Sequence, residues 1–315
     1  MFSCSNNPHD VDISGVEVNL ELQRFEQDLF KTTAYESLKS KYGYFFRVYT
    51  DNILNINSNN PIMMTNGLKD FCSVPEIKEI YKEVEGKYED FSPEFNKIQE
   101  AFTYYKYHFP QKNIPKIITF ISGFNYGILS LDSTLGIGLD MFLGKDYNYY
   151  SALQFPLYKR NKLQQKNIPF ATLKGWIETE YMMESNNQSC LSRMVERGKV
   201  LYAMDAVFPF APDSSKIQYS PQQMNWAQEN EVFVWATLVD QSLLYEKNFS
   251  KTYKLFNDGP FTSLFEQTSA PRIGEFIGWQ IVRSFMENNQ IKLSELMQMN
   301  DAQELLAKSN YKPKR

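Results

Sequence analysis

The spacing of apolar and polar residues predicts a chain of helices with a few strands. Residues 16–22, V-E-V-N-L-E-L, alternate strictly between the two classes, which predicts a half-buried strand. Apolar residues at helical spacing predict helices over 34–48, 77–88 and 92–108. The same spacing predicts later helices over residues 170–184, 190–206, 220–246, 271–288 and 301–307.

Three short apolar runs between residues 116 and 140 interrupt the helical pattern. The runs read K-I-I-T-F-I-S, G-I-L-S-L-D and L-G-I-G-L-D, and turn residues separate them. This pattern predicts an antiparallel meander of about three strands. Gly136 and Gly138 lie inside the third run and lack the third glycine of a nucleotide-binding loop. The whole pattern predicts an α+β, mostly helical fold, in which a small antiparallel sheet packs on helices.

The composition is that of a globular protein. Of 315 residues, 43% are hydrophobic and 22% are charged, and the formal net charge is −4. A slightly acidic chain without a long basic run is a poor partner for nucleic acid, so we expect none. The printed sequence contains no run of about 18 apolar residues, the length that a membrane-spanning helix needs. Linkers of ordinary length and the lack of repeats predict one domain over residues 13–315.

Histidine and cysteine are scarce, which limits the chemistry. The two histidines, His9 and His108, are far apart in sequence, and no H-E-x-x-H motif occurs. The three cysteines, Cys4, Cys72 and Cys190, form no C-x-x-C pair, which excludes a zinc ribbon and a thioredoxin-type site. A disulfide between Cys72 and Cys190 stays open, and Cys190 is expected to pack in the core. We therefore predict no catalytic residue, no cofactor and no metal ion.

The first residues, M-F-S-C-S-N-N-P, are typical of the end of a bacterial lipoprotein signal. A small residue, Ser3, precedes Cys4, and the residues that follow are polar. The apolar segment of a signal peptide would lie upstream of the printed sequence. We predict that Cys4 carries a lipid anchor and that residues 1–12 form the anchor and tether region. Because Ser5, Asn6 and Asn7 are not acidic, we favour a periplasm-facing position.

Several longer motifs occur in a characteristic order. They are I-T-F-I-S-G-F-N-Y, G-L-D-M-F-L-G-K-D, M-V-E-R-G-K-V-L-Y, Y-S-P-Q-Q-M-N-W-A-Q-E-N-E, N-D-G-P-F, P-R-I-G-E-F-I-G-W-Q-I-V-R-S-F-M-E-N-N and S-N-Y-K-P-K. In this order the chain resembles the GldB family of gliding-motility lipoproteins of the Bacteroidetes. The resemblance implies a membrane-anchored component of the bacterial gliding machinery in the cell envelope. Its expected partners are the membrane, through the N-terminal lipid, and other gliding-motility envelope proteins.

The family also resembles, more distantly, zinc metallopeptidases of the gluzincin type. This implies a zincin-like scaffold without the zinc motif, because the helix predicted over 170–184 has glutamates but no histidine. Glu196 follows in V-E-R-G, near the expected third ligand, and we interpret it as a solvated charge on a helix face. Glu178 and Glu180 are expected on different sides of their helix. We therefore expect a pseudoenzyme that does not catalyse a reaction.

The helix over residues 271–288 carries two glycines, Gly274 and Gly278, four residues apart. A glycine inside a helix costs roughly 1 kcal/mol relative to alanine, so a pair needs a reason. The resemblance implies that both are structural helix-packing residues, at which the backbone approaches a neighbouring helix. A larger residue would collide there.

Two alternatives stay open at this point. One is a cryptic hydrolase or metallopeptidase, which bound metal in the purified protein would favour. The other is a surface glycan-binding lipoprotein, because the chain contains 20 tyrosines and 24 phenylalanines. A solvent-exposed row of aromatic rings would support the second alternative, and burial of the rings would weaken it.

Overall fold

The computed structural model describes residues 7–182 and 188–313 and shows the predicted α+β, mostly helical class. The strands are β1 Leu22–Arg24, β2 Lys116–Phe120, β3 Ile128–Leu131 and β4 Thr134–Gly138. The α-helices are α1 Phe25–Lys31, α2 Tyr35–Val48, α3 Pro61–Ser73, α4 Pro75–Lys87, α5 Ser92–His108, α6 Asn148–Ala152, α7 Leu157–Arg160, α8 Ile168–Tyr181, α9 Cys190–Val207, α10 Asp213–Ile217, α11 Pro221–Glu229, α12 Glu231–Asp240, α13 Phe249–Thr252, α14 Ile273–Asn288, α15 Leu293–Gln298 and α16 Ala302–Ser309.

The sheet is mixed, so the prediction of an antiparallel meander was wrong. Its strand order is β1-β2-β4-β3, with β1 parallel to β2 and β2 parallel to β4. Only the hairpin of β3 and β4 is antiparallel. In a meander β2 would pair with β3, but here β3 takes the edge and β4 returns beside β2. Local spacing reveals a strand but not its partner, which is why the sequence could not supply this order.

The first strand is shorter than the pattern predicted. Side chains of residues 16–22 do alternate between at least partly buried and exposed, and Leu20 is buried in the core. However, β1 begins only at Leu22, which pairs with Ile117 of β2. The preceding residues therefore pack against the domain without a neighbouring strand. The alternation correctly identified the buried face, but the prediction of a strand over residues 16–22 was wrong, because only Leu22 of that range belongs to β1.

Hydrophobic cores lie on both faces of the sheet. Successive residues of β2 point to opposite faces, so that Ile117 enters the larger core while Ile118 and Phe120 enter the smaller one. The smaller core is formed mainly by aromatic residues of α1 and α2 and by apolar residues of α3. The larger core contains the apolar faces of α5, α8, α9 and α14. In this core α9 and α14 run side by side as the most extensively paired helices of the described chain.

The helix predicted over 220–246 is two helices, α11 and α12. Ser220 and Gln223 form the predicted capping box at the start of α11. The helix then ends at Asn230, whose side-chain amide donates a hydrogen bond of 2.9 Å to the carbonyl oxygen of Trp226. An asparagine that bonds nearby backbone in this way competes with the helical ladder, so the apolar spacing continues across a break.

Residues 7–12, which were predicted as tether, pack on the domain. The Asn7 side-chain amide donates a hydrogen bond of 2.8 Å to the carbonyl oxygen of Pro209. The ring of His9 meets the ring of Tyr202 edge-on, with 5.0 Å between the centroids. Val11 packs against the larger core. From Asn7 onwards, the chain is therefore held on the surface formed by α9 and its neighbours.

Candidate functional site

The backbones of α9 and α14 approach each other closely where these two helices cross in the larger core. A Cβ atom added to Gly278 would overlap the carbonyl group of Met194 in α9. A Cβ atom added to Gly198 of α9 would likewise overlap the carbonyl group of Gly278. At Gly274 an added Cβ would lie 2.8 Å from the Phe256 ring and 3.0 Å from the Leu255 carbonyl oxygen. Gly278 thus faces a helix, whereas Gly274 faces the 3-10 turn that precedes the loop to α14.

The residue that opens α14, Arg272, has an unusual backbone. Its φ of 51° and ψ of 37° are left-handed, a conformation that non-glycine residues seldom adopt. The guanidinium is buried and donates a hydrogen bond of 2.8 Å to the carbonyl oxygen of Ile217. The preceding Pro271 accepts a hydrogen bond from the Tyr219 hydroxyl through its carbonyl oxygen. These contacts fix the start of α14 and the direction of the Arg272 side chain.

Glu275, one turn further on, is a carboxylate shared by three cations. Its side chain is 2% exposed, and its oxygens lie 2.9 Å from Arg197, 2.9 Å from Arg272 and 3.4 Å from Lys174. Burial alone would raise the pKa of Glu275, but Lys174, Arg272 and Arg197 together lower it to about 2. Because these cations belong to α8, α9 and α14, this one carboxylate joins three helices.

A second carboxylate, Asp258, extends this cluster into the loop before α14. Its Oδ1 lies 2.5 Å from Lys162 Nζ and 3.4 Å from Arg272 Nε. Burial and the neighbouring Arg272 lower the pKa of Lys162 to about 8 despite this ion pair. Arg272 therefore stands between the two carboxylates, Asp258 and Glu275.

These residues line a cleft of about 530 Å³, which we call the charged cleft. Ile128 and Ser130 of β3 form part of its wall, and α8 contributes Lys174 and Glu178. Among the described residues, the charged side chains that line it are Lys162, Lys174, Arg197, Arg272, Glu178, Asp258 and Glu275. This site was not predicted from the sequence. Its one local indication is that Arg272 and Glu275 are three residues apart at a helix start, a spacing at which opposite charges can pair.

The structure separates the glutamates that the sequence had singled out. Glu178 lines the charged cleft, whereas Glu180 forms a 2.5 Å ion pair with Lys112. Glu196 accepts a hydrogen bond of 2.6 Å from the side-chain amide of Gln188. The prediction that Glu196 is a solvated charge was wrong, because this side chain is half-buried and burial raises its pKa.

Histidines and cysteines of the described chain lie outside the charged cleft. Burial lowers the pKa of His9 and lowers that of His108 to about 4. Cys72 and Cys190 are free thiols, so the disulfide left open by the sequence is not formed. Burial raises the pKa of both thiols to about 12, which makes them poor nucleophiles at neutral pH. Cys4 lies outside the described residues.

His9 lines a second cleft, of about 760 Å³, to which α14 contributes residues that lie nearer its C-terminal end than Glu275. A buried ion network forms its floor. Arg283 contacts both Asp205 and Asp213 at 2.7 Å, and Lys216 lies 2.8 Å from Asp205. Since these carboxylates are held by cations from α10 and α14, the network ties these helices to α9.

No group of three or more His, Cys, Asp or Glu side chains within residues 7–182 and 188–313 is arranged to hold a metal ion. Many of the aromatic rings are packing residues. The fully buried side chains include Tyr42, Tyr49, Tyr88, Tyr105 and Tyr150, whereas the exposed ones include Tyr44, Tyr107, Tyr126, Tyr245 and Tyr253. This burial weakens the glycan-binding alternative. The described helices include none that is long and apolar enough to cross a membrane.

The fold and its cleft define a mostly helical α+β protein with a cluster of opposite charges beside its last long helix. The family model described as gliding motility protein GldB matches residues 6–313, so the chain belongs to this family. No curated protein matches the chain. No solved structure matches it either.

Proposed function

We propose that the protein is a lipid-anchored, non-enzymatic component of the gliding-motility machinery in the cell envelope. The observation that carries this proposal is the family match, which extends over residues 6–313 and so includes nearly the whole chain. The membrane would be reached through Cys4, and the globular part would bind other envelope proteins of the machinery. A position facing the periplasm agrees with the non-acidic residues Ser5, Asn6 and Asn7 directly after Cys4.

The chemistry of the charged cleft supports a role without catalysis. Glu275 is held ionised by three cations, and a carboxylate with a pKa of about 2 is a poor general base. Asp258 is engaged by Lys162 and Arg272. General bases normally have a pKa near the working pH, and the pKa of Glu275 is far below it.

We also propose a degenerate peptidase-like scaffold, in which α8 would take the place of the zinc-binding helix. A zinc-binding H-E-x-x-H helix presents its two ligands four residues apart on one face. On the cleft side of α8, two residues with this spacing are Lys174 and Glu178, whose charged atoms lie 3.7 Å apart. An ammonium group cannot donate a lone pair to a metal ion while it is protonated. We therefore propose that an ion cluster occupies the position at which related peptidases hold zinc.

The position of Asn7 determines how an anchor on Cys4 would hold the domain. Three residues of fully extended chain span at most about 10 Å, so the membrane surface would lie close to Asn7. Asn7 is bonded to Pro209, and the next residue, Phe210, is 67% exposed. An exposed phenylalanine beside a lipidated segment would add apolar contact with the bilayer. We propose that this side of the domain, with the cleft of His9, faces the membrane.

Membrane fractionation tests the anchor. The protein, expressed with its native upstream segment, is expected in the membrane fraction after a high-salt wash, and Cys4→Ala is expected in the soluble fraction. Retention of Cys4→Ala in the washed membranes would contradict the anchor.

A spin label at Phe210 should report lipid contact, whereas a label at the exposed Met63 of α3, beyond the other face of the sheet, should not. The reverse result would contradict the orientation.

A further inference from the structure

We propose that the charged cleft binds an oxyanion, either a carboxylate or a phosphate group, between Lys162, Lys174 and Arg197. This site is not part of the anchor, and the inference does not depend on the role of the protein in motility. It rests on the charge of the cleft, on the distances between its ions and on the space between them.

The charged side chains that line the cleft carry a net positive charge. The described residues that line the cleft include four cations and three carboxylates, a net charge of +1 in a chain whose formal charge is −4. The carboxylate Glu178 is the most weakly engaged of the three: it lies 3.7 Å from Lys174 and is 35% exposed. Partly buried cations in excess of their partners favour the entry of an anion.

One of the four cations, Lys174, is only loosely held by its carboxylate partners. Hydrogen bonds between ammonium or guanidinium groups and carboxylates are usually about 2.7–2.9 Å long. Lys174 Nζ is 3.4 Å from Glu275 and 3.7 Å from Glu178, and Arg272 Nε is 3.4 Å from Asp258. Glu275 is 2.9 Å from both Arg197 and Arg272, so Lys174 is the most distant of its three cations. Lys174 therefore keeps donor capacity for a further oxygen atom.

Three of the four cations are already held in place by the carboxylates of the cleft. The buried Glu275 fixes Arg197 and Arg272, and the Arg197 guanidinium lies 5.7 Å from the centroid of the Phe256 ring. Lys162 is held by Asp258. An anion entering a cleft of about 530 Å³ would thus meet donors whose positions are already fixed. Fixed donors lose little side-chain entropy on binding, which makes recognition of a small group feasible.

The competing explanation is that the cluster is a structural ion network only. The two explanations differ for Glu178→Gln, which removes a weakly engaged negative charge at the edge of the cluster. If the cleft binds an anion, this variant should bind more tightly than the wild type. If the cluster is structural only, the variant should not acquire tighter anion binding.

Isothermal titration calorimetry of the protein with residues 1–315 tests the proposal with three probes. These are inorganic phosphate, N-acetylglycylglycine with a free carboxylate, and the same dipeptide with a C-terminal amide. We expect saturable binding of phosphate or of the free carboxylate, and none of the amide. Phosphate binding alone would identify a phosphate group as the ligand, and carboxylate binding alone would identify a chain end or an acidic side chain.

Variants then locate the site. Arg197→Gln should weaken binding on the order of tenfold, because a hydrogen bond to a charged group is lost. Glu178→Gln should strengthen it severalfold, and the remote, exposed Lys41→Gln should leave it unchanged. Thermal melting of each variant verifies the fold. Lack of saturable binding to wild type, or equal affinities in Arg197→Gln, Glu178→Gln and wild type, would overturn the proposal.

Discussion

Gly198 and Gly278 face each other where α9 crosses α14, and neither position has room for a methyl group. A Cβ atom on Gly198 would overlap the Gly278 carbonyl, and one on Gly278 would overlap the Met194 carbonyl. Backbone cannot move aside as a flexible side chain can. The crossing also positions two residues of the charged cleft. Arg197 is next to Gly198 on α9, and Glu275 lies about one turn before Gly278 on α14.

Gly278→Ala should therefore destabilise the fold. Overpacking of a well-packed core typically costs about 1–3 kcal/mol, and rigid backbone neighbours favour the upper part of this range. Chemical denaturation measures the change. Gly86→Ala in α4 is the matched control, because an added Cβ meets nothing within 4 Å there. The control should be stabilised by up to about 1 kcal/mol. A Gly278→Ala protein as stable as the control would contradict the packing account.

Glu275→Gln should destabilise the protein through the cations that it leaves unpaired. Removal of one partner from a buried ion pair usually costs about 3–5 kcal/mol, and the partial exposure of Arg197 and Lys174 favours the lower end. Urea unfolding at pH 7 measures this. The control is Glu304→Gln, which breaks an exposed pair with Lys308 and should cost less than about 1 kcal/mol. Equal losses in the two variants would show that Glu275 is not the centre of the cluster.

The stability difference between wild type and Glu275→Gln should also depend on pH. The cations lower the pKa of Glu275 in the folded state to about 2, from an ordinary value of 4.5. A carboxylate with a lowered folded-state pKa contributes its full stabilisation above the unfolded value and loses it as the pH falls through the folded value. The difference should therefore be constant above pH 4.5 and shrink towards pH 2. A difference that grows over this window would contradict the assigned ion pairs.

Cys72 and Cys190 should react slowly with thiol reagents in the folded protein. Burial raises the pKa of both to about 12, so almost no thiolate is present at pH 8. In Cys4→Ala protein, Ellman's reagent should detect two thiols after denaturation without reductant and react far more slowly before it. Fewer than two thiols in denaturant would indicate a disulfide. Rapid reaction of the native protein would contradict the burial of these side chains.

The sequence predicted most of the long helices because apolar spacing is a local property, but it did not predict α3. The predicted ranges 190–206 and 271–288 agree with α9 and α14 to within two residues at each end. The parallel pairing of β2 with β4 was not predictable in this way, since it depends on which distant strand comes to lie alongside. The break at Asn230 was missed because the apolar spacing continues through it.

The charged cleft was hidden for a similar reason. Its charged residues come from five separate stretches of chain, and each stretch alone resembles an ordinary solvated helix or loop. Glu275 is distinguished by its burial and by its partners Lys174 and Arg197, which are 101 and 78 residues away in sequence. Gly198 was missed because no second glycine on α9 marks the contact.

A gliding assay in a strain that lacks the chromosomal gene tests the central claim most directly. The strain is complemented with wild type, Cys4→Ala or Glu196→Gln, each with its native upstream segment and with protein amounts matched by immunoblot. We expect that wild type and Glu196→Gln restore gliding and that Cys4→Ala does not. Full gliding with Cys4→Ala would contradict the role of the anchor, and loss of gliding with folded Glu196→Gln would contradict the non-enzymatic function.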